Sequence, residues 1–149
     1  MTRARIISAA LALLYTALLL ISTLGPIRQR LVGSEASGGV LSLDTWLAES
    51  TWTSGRMYEF VANVVVFVPW GLLVVFALGA RWWWVAASAG LVLTLAIEII
   101  QIPLPRISDP RDLVANVLGT LIGVGIAVVI SRRRRGSLTR IRTAAAERG

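Results

Sequence analysis

The sequence predicts an all-α fold: an integral membrane four-helix bundle with both termini cytoplasmic. Three observations predict it. The 149 residues are 56% hydrophobic and have a mean hydropathy of +0.73, too apolar for a soluble domain of this size. Four apolar segments, at about 6–24, 60–78, 82–102 and 113–130, each approach the ~20 residues a helix needs to cross the hydrocarbon core. None shows the polar–apolar alternation of the shorter strands in a transmembrane barrel.

Composition also excludes chemistry. There is no Cys and no His, which removes disulfides, thiol chemistry, zinc sites and a histidine base. The net charge of +7 is carried by arginine, and seven of the fifteen Arg follow residue 131, directly behind an apolar segment. That placement fits a cytoplasmic flank touching anionic lipid, so membrane lipids are expected as partners and nucleic acid is not. No cofactor and no metal is expected.

Taken in order, residues 1–24 form the first transmembrane helix. Arg3 and Arg5 resemble the charged start of a signal peptide. The apolar run is longer than a usual signal core and no clean small-x-small site follows, which favours an uncleaved helix. Residues 25–59 form an extracytoplasmic loop whose Gly- and Ser-rich part, Gly33 to Gly39, is expected to be flexible. Within it, Leu43 to Trp52 reads either as a short amphipathic helix on the outer leaflet or as a packed loop. Residues 60–131 form a core of three transmembrane helices. Residues 132–149 form a basic cytoplasmic tail, read as disordered or lying against lipid.

Orientation follows from arginine. With both termini inside, ten Arg lie on the cytoplasmic side and five outside, as the positive-inside rule requires. The triplet Trp82-Trp83-Trp84 then lies at the inner interface beside Arg81, where indole rings prefer to sit.

This topology gathers polar residues at the outer end. Glu98 and Gln101 are three apart and share a helix face. Asp112, Asn116, Gly119 and Gly123 lie on one stripe of the fourth helix, and Gly119 and Gly123 form a G-x-x-x-G pattern that lets another helix approach closely. Asn63 lies near the outer end of the second helix, above Pro69, Trp70 and Gly71, which suggest a kink or a close contact. An ionisable group at this depth normally faces a partner or a cavity. For Glu98 the expected partners are Arg106 or Arg111, with Gln101 and Asn116 as hydrogen-bond neighbours; the other reading is a protonated carboxyl.

Ordinary structural work also fits these residues. In S-D-P-R-D, Asp109 is a helix N-cap, Pro110 suits the first helical position, and Asp112 follows three residues after the cap. Glu98 with Arg106 reads as a structural ion pair or as a ligand-facing group. Glu98, Asp109 and Asp112 have the chemistry for acid–base work or for holding a divalent cation. However, there is no nucleophile motif, Ser108 has no evident base beside it, and no glycine-rich phosphate loop is present. Binding is therefore expected over catalysis, and no catalytic residue is assigned.

Three blocks, in order, resemble the VanZ-like family of bacterial membrane proteins. N-V-V-V-F-V-P-W-G at Asn63–Gly71 resembles the family's N-x-x-x-F-x-P-x-G. I-E-I-I-Q at Ile97–Gln101 resembles its E-x-x-Q. Arg106–Gly123 resembles R-x-x-D-x-x-D-x-x-x-N-x-x-G-x-x-x-G. Together they cover about residues 60–130. Trp70 departs from the pattern, where Phe is more usual. The resemblance implies a plasma-membrane protein of the cell envelope linked to glycopeptide (teicoplanin-type) resistance, and it supplies no reaction. The expected binding site comprises Asn63, Glu98, Gln101, Arg106, Asp109, Asp112 and Asn116, as an outward-facing polar pocket for a cell-wall precursor, its lipid carrier or a lipophilic glycopeptide. Pro69, Gly71, Gly119 and Gly123 are expected to pack helices. Two other classes stand beside this reading: an intramembrane enzyme acting on an envelope lipid, and a structural protein whose glycine stripe meets a partner helix or a second copy.

Overall fold

The computed structural model describes residues 2–24, 39–53, 56–102 and 108–146; the stretch 33–38 and Arg106 lie outside the described residues. Among the described residues every regular element is helical: α1 (Arg3–Leu24), α2 (Leu43–Leu47), α3 (Glu49–Thr53), α4 (Met57–Leu78), α5 (Trp83–Gln101) and α6 (Pro110–Ala146), with 3-10 turns at Gly39–Leu41 and Ala80–Trp82. Four helical stretches are long and apolar enough to span a membrane: Arg3–Leu24, Met57–Leu78, Ala80–Gln101 and Pro110–Arg134. They match the four expected segments closely. Large apolar residues such as Leu13, Ile21, Val65, Val92 and Ile122 point outward along the spans, the pattern of helices solvated by lipid rather than water.

The central pair is α4 and α6. A Cβ at Gly119 would overlap the Val64 carbonyl, one at Gly123 the Val68 carbonyl, and one at Gly71 the Thr120 carbonyl. Only glycine permits backbones this close, and the approach aims Cα–H bonds at carbonyl oxygens. The pairings 119 with 64 and 123 with 68 rise together, so α4 and α6 run parallel. The glycine stripe is thus occupied by α4 of the same chain. Pro69 lies inside α4 with its ring exposed, away from these contacts.

α1 lies against α4, and two hydrogen bonds fix it there. Trp70 Nε1 donates to Thr16 Oγ1 at 2.8 Å, and the Tyr15 hydroxyl donates to the Val66 carbonyl at 2.7 Å. The indole N–H is what Trp70 adds over the Phe more usual at this position. The core has two apolar clusters: Leu19, Phe67, Trp70 and Ile97, and Val75, Ala86, Val124 and Ala127.

At the far end from the polar residues, Gly79 turns the chain from α4 to α5 at φ +96, and its missing Cβ leaves room for the Arg5 guanidinium. A side chain at that φ would be strained. The start of α1 therefore lies at the α4–α5 turn. Arg81 stacks over the Trp82 ring at 5.1 Å, and all three tryptophans of the triplet are exposed.

Two expectations change. The tail after Ser131 continues α6 as helix to Ala146. Once a span has nucleated the helix, adding Arg and Ala residues is cheap. Leu43 to Trp52 forms not one helix but two short ones, broken at Ala48, which is extended at φ −68 and ψ 122.

Candidate functional site

The polar residues of α5 and α6 meet at the end of the bundle where α5 finishes and α6 begins. On α5 the buried positions are Ala86, Gly90, Thr94, Ile97, Glu98 and Gln101, spaced four, four, three, one and three. Ile99 and Ile100, beside Glu98 in sequence, are exposed instead. The helical period thus turns Glu98 inward with Ile97 and sends Ile99 and Ile100 to the outer face.

Glu98 is 1% exposed. A carboxylate so placed costs several kcal/mol (roughly) unless it is paired or hydrogen-bonded. Its Oε2 accepts the backbone N–H of Asp109 at 3.0 Å, and the Ser108 hydroxyl bonds to the same carboxyl group. Asp112 and Asp109 stand close enough to act on it electrostatically. Its hydrogen-bond partners among the described residues are therefore an amide and a hydroxyl; of the two expected guanidinium partners, Arg111 is not among them and Arg106 lies outside the described residues. Gln101 and Asn116 do not serve as its neighbours either. Gln101 Nε2 donates to the Thr23 carbonyl at 3.1 Å, and Asn116 Nδ2 donates to Thr94 Oγ1 at 2.9 Å.

These bonds have a common logic. Helix ends leave four N–H groups and four C=O groups without intrahelical partners. Asp109 is the N-cap of α6: its Oδ1 accepts the Arg111 N–H at 2.8 Å, and its carbonyl accepts from Asp112 and Leu113 at 3.0 and 3.2 Å. In a capping box, a Glu or Gln three residues into the helix reaches back to the N-cap N–H. Here that position holds the shorter Asp112, and Glu98 from α5 takes the N–H. One turn along the same helix, Gln101 takes an orphan carbonyl in the last turn of α1. The E-x-x-Q pair thus caps two different helices and ties three spans together at one end.

The cluster is covered by the segment before α2. Val40 N–H donates to Ser108 Oγ at 3.2 Å, and Gly39, at φ +50, sits where a Cβ would overlap Ser108. Trp46 Nε1 holds this turn through the Val40 carbonyl at 2.9 Å. Below Glu98 the seam stays polar for two turns. Asn116 and Thr120 on α6 face Thr94 and Gly90 on α5; Asn116 Oδ1 and Thr120 Oγ1 are buried without a hydrogen-bond partner among the described residues. Arg111 is buried at the start of α6. Asp109 and Asp112 are half-buried, and Asn63 is half-buried on α4 and takes no part in these bonds. Among the described residues, no three His, Cys, Asp or Glu side chains are placed to hold a metal ion.

Sequence reasoning set Ser108 aside and passed over Thr94 and Thr120. A signal was present in the spacing: Thr94 lies four before Glu98, and Thr120 four after Asn116, each on the face already marked as polar.

No curated protein and no solved structure gives a match. A family profile, described as VanZ/LLP1, matches residues 12–131, extending the likeness from the 60–130 core to most of the first span. With four membrane-spanning helices and a match over most of its length, the chain is a multi-pass membrane protein belonging to the VanZ/LLP1 family.

Proposed function

We propose that this protein, in the plasma membrane of a bacterial envelope with both termini cytoplasmic, binds the polar head of a lipid-borne envelope ligand. The candidates are a cell-wall precursor, its polyprenyl phosphate carrier or a lipophilic glycopeptide, the last tying the protein to teicoplanin-type resistance. The proposed site is the polar end of the α5–α6 seam, built from Glu98, Gln101, Asp109, Arg111, Asp112 and Asn116, with Asn63 from α4; the sequence pattern adds Arg106, which lies outside the described residues. The observation that carries the reading is Asn116 Oδ1. With Thr120 Oγ1 one turn below, it is a buried oxygen without a hydrogen-bond partner among the described residues, and buried unpaired acceptors are rare. An arginine, Arg111 at this end of the bundle or Arg106 of the sequence pattern, would offer bidentate donors to a phosphate or carboxylate.

The experiment is thermal unfolding of purified protein with and without polyprenyl phosphate, and separately with teicoplanin, for wild type, Glu98→Gln and Arg106→Ala. Ligand at a hundredfold excess over Kd stabilises a folded protein by about 2.7 kcal/mol. The wild type is expected to gain that stabilisation and the two variants to lose most of it. Equal shifts in all three remove the site.

A second reading is an intramembrane enzyme acting on an envelope lipid. One observation favours it: the Ser108 hydroxyl, a candidate nucleophile among the described residues of the cluster, is hydrogen-bonded to the Glu98 carboxyl group, the base that sequence alone did not place there. It predicts that Ser108→Ala keeps the fold and abolishes turnover of the lipid. An unchanged envelope lipid profile in a deletion strain opposes it.

A further inference from the structure

The segment between α1 and α4 carries apolar surface that its own fold does not use. Leu41, Leu43, Leu47, Met57 and Tyr58 are each more than three-fifths exposed and Trp52 is 44% exposed. Leu43 and Leu47 are four apart on α2 and so share a face. Asp44 and Glu49 are exposed as well, and with Leu43 and Leu47 they make a short amphipathic element. Burying large apolar side chains is favourable, so leaving this group in water is costly, and its place in the fold suggests another environment. The turn Gly39–Leu41 is pinned to Ser108 and Ile102, at the end of α5 and the start of α6. Met57 and Tyr58 open α4 and continue directly into its outward-facing Val61 and Val65. The apolar patch is therefore continuous with the lipid-facing surface of a span and lies at the level where that span ends. The polar parts of its aromatic side chains are accounted for: Trp52 Nε1 donates to the Trp46 carbonyl at 3.0 Å, and Arg56 Nη1 donates to the Tyr58 hydroxyl at 2.7 Å. This leaves the indole ring free to enter an apolar medium, with an arginine at headgroup depth.

We propose that residues 39–53 and 56–58 form an interfacial anchor, with Leu41, Leu43, Leu47, Trp52, Met57 and Tyr58 embedded in the lipid leaflet at the polar end of the bundle and Asp44 and Glu49 turned to water. The occupant of the patch is the acyl–headgroup boundary of that leaflet. The anchor holds the Gly39–Val40 turn over Ser108 and Glu98.

The test uses the native chain, which has no cysteine. Single variants Leu43→Cys, Leu47→Cys, Asp44→Cys and Glu49→Cys, all at exposed positions, are spin-labelled and placed in phospholipid nanodiscs. Relaxation is read with oxygen, which concentrates in lipid, and with a water-soluble nickel chelate. Labels at 43 and 47 are expected to respond several-fold more to oxygen than to nickel, and labels at 44 and 49 the reverse. Equal nickel access at all four positions overturns the anchor. Dipolar broadening between labels at 43 or 47 on separate chains also overturns it, by assigning the patch to a second copy.

Discussion

The backbone N–H of Asp109 donates to the Glu98 carboxylate at 3.0 Å, so a side chain of α5 completes the N-terminal cap of α6. Glu98 is surrounded by isoleucines in sequence, yet in the fold it faces an amide, a hydroxyl and the positive end of a long helix dipole. The Glu98 position is thus a structural requirement of the bundle end as well as a proposed ligand group. Losing it leaves a buried donor unsatisfied, which costs about 1–3 kcal/mol. Glu98→Ala is expected to lower stability by that amount in detergent unfolding. Glu98→Gln, which keeps an acceptor oxygen, is expected to lower it less.

The cap itself makes a separate prediction. Asp109 Oδ1 accepts the Arg111 N–H, and replacing such a cap by Ala costs about 0.5–2 kcal/mol. Asp109→Ala is expected to fall in that range and Asp109→Ser to recover most of the loss, read by equilibrium unfolding of both variants.

The glycines separate by what surrounds them. A Cβ at Gly123 would overlap the Val68 carbonyl, whereas one at Gly125 meets nothing within 4 Å. Gly123→Ala must therefore push α6 off α4, at about 1–3 kcal/mol for overpacking. Gly125→Ala is expected to be neutral or to stabilise by up to about 1 kcal/mol through helix propensity. Thermal unfolding of the pair checks this, and a loss of similar size at both positions contradicts the parallel α4–α6 contact.

Trp70 and Thr16 share one hydrogen bond between α4 and α1. Trp70→Phe and Thr16→Val are each expected to cost about 1 kcal/mol. The double variant should cost clearly less than the sum, because the second change removes a bond already lost.

The spans were legible because four windows are long and apolar, and the Asp109 cap was legible because S-D-P-R-D carries its own local chemistry. The partners of Glu98 were not. They depend on how the end of α5 meets the start of α6, and on Val40 arriving from a segment far away in sequence to engage Ser108. The glycine stripe announced a close helix approach, but only the packed chain identifies α4 as the helix that approaches. Gln101 shares a face with Glu98, as its spacing requires, yet serves α1 rather than the same cluster. The helical continuation past Ser131 was hidden because its residues lack an apolar period, and that continuation depends on a helix already formed by the span.

The central claim is the bond from Asp109 to Glu98, and amide exchange reads it directly. In isotope-labelled, reconstituted protein, the Asp109 N–H of the wild type is expected to exchange slowly. In Glu98→Ala its exchange should quicken by about tenfold or more, since each 1.4 kcal/mol lost is a factor of ten and the bond contributes about 1–3 kcal/mol. An Asp109 amide that exchanges at the same rate in both proteins contradicts the account.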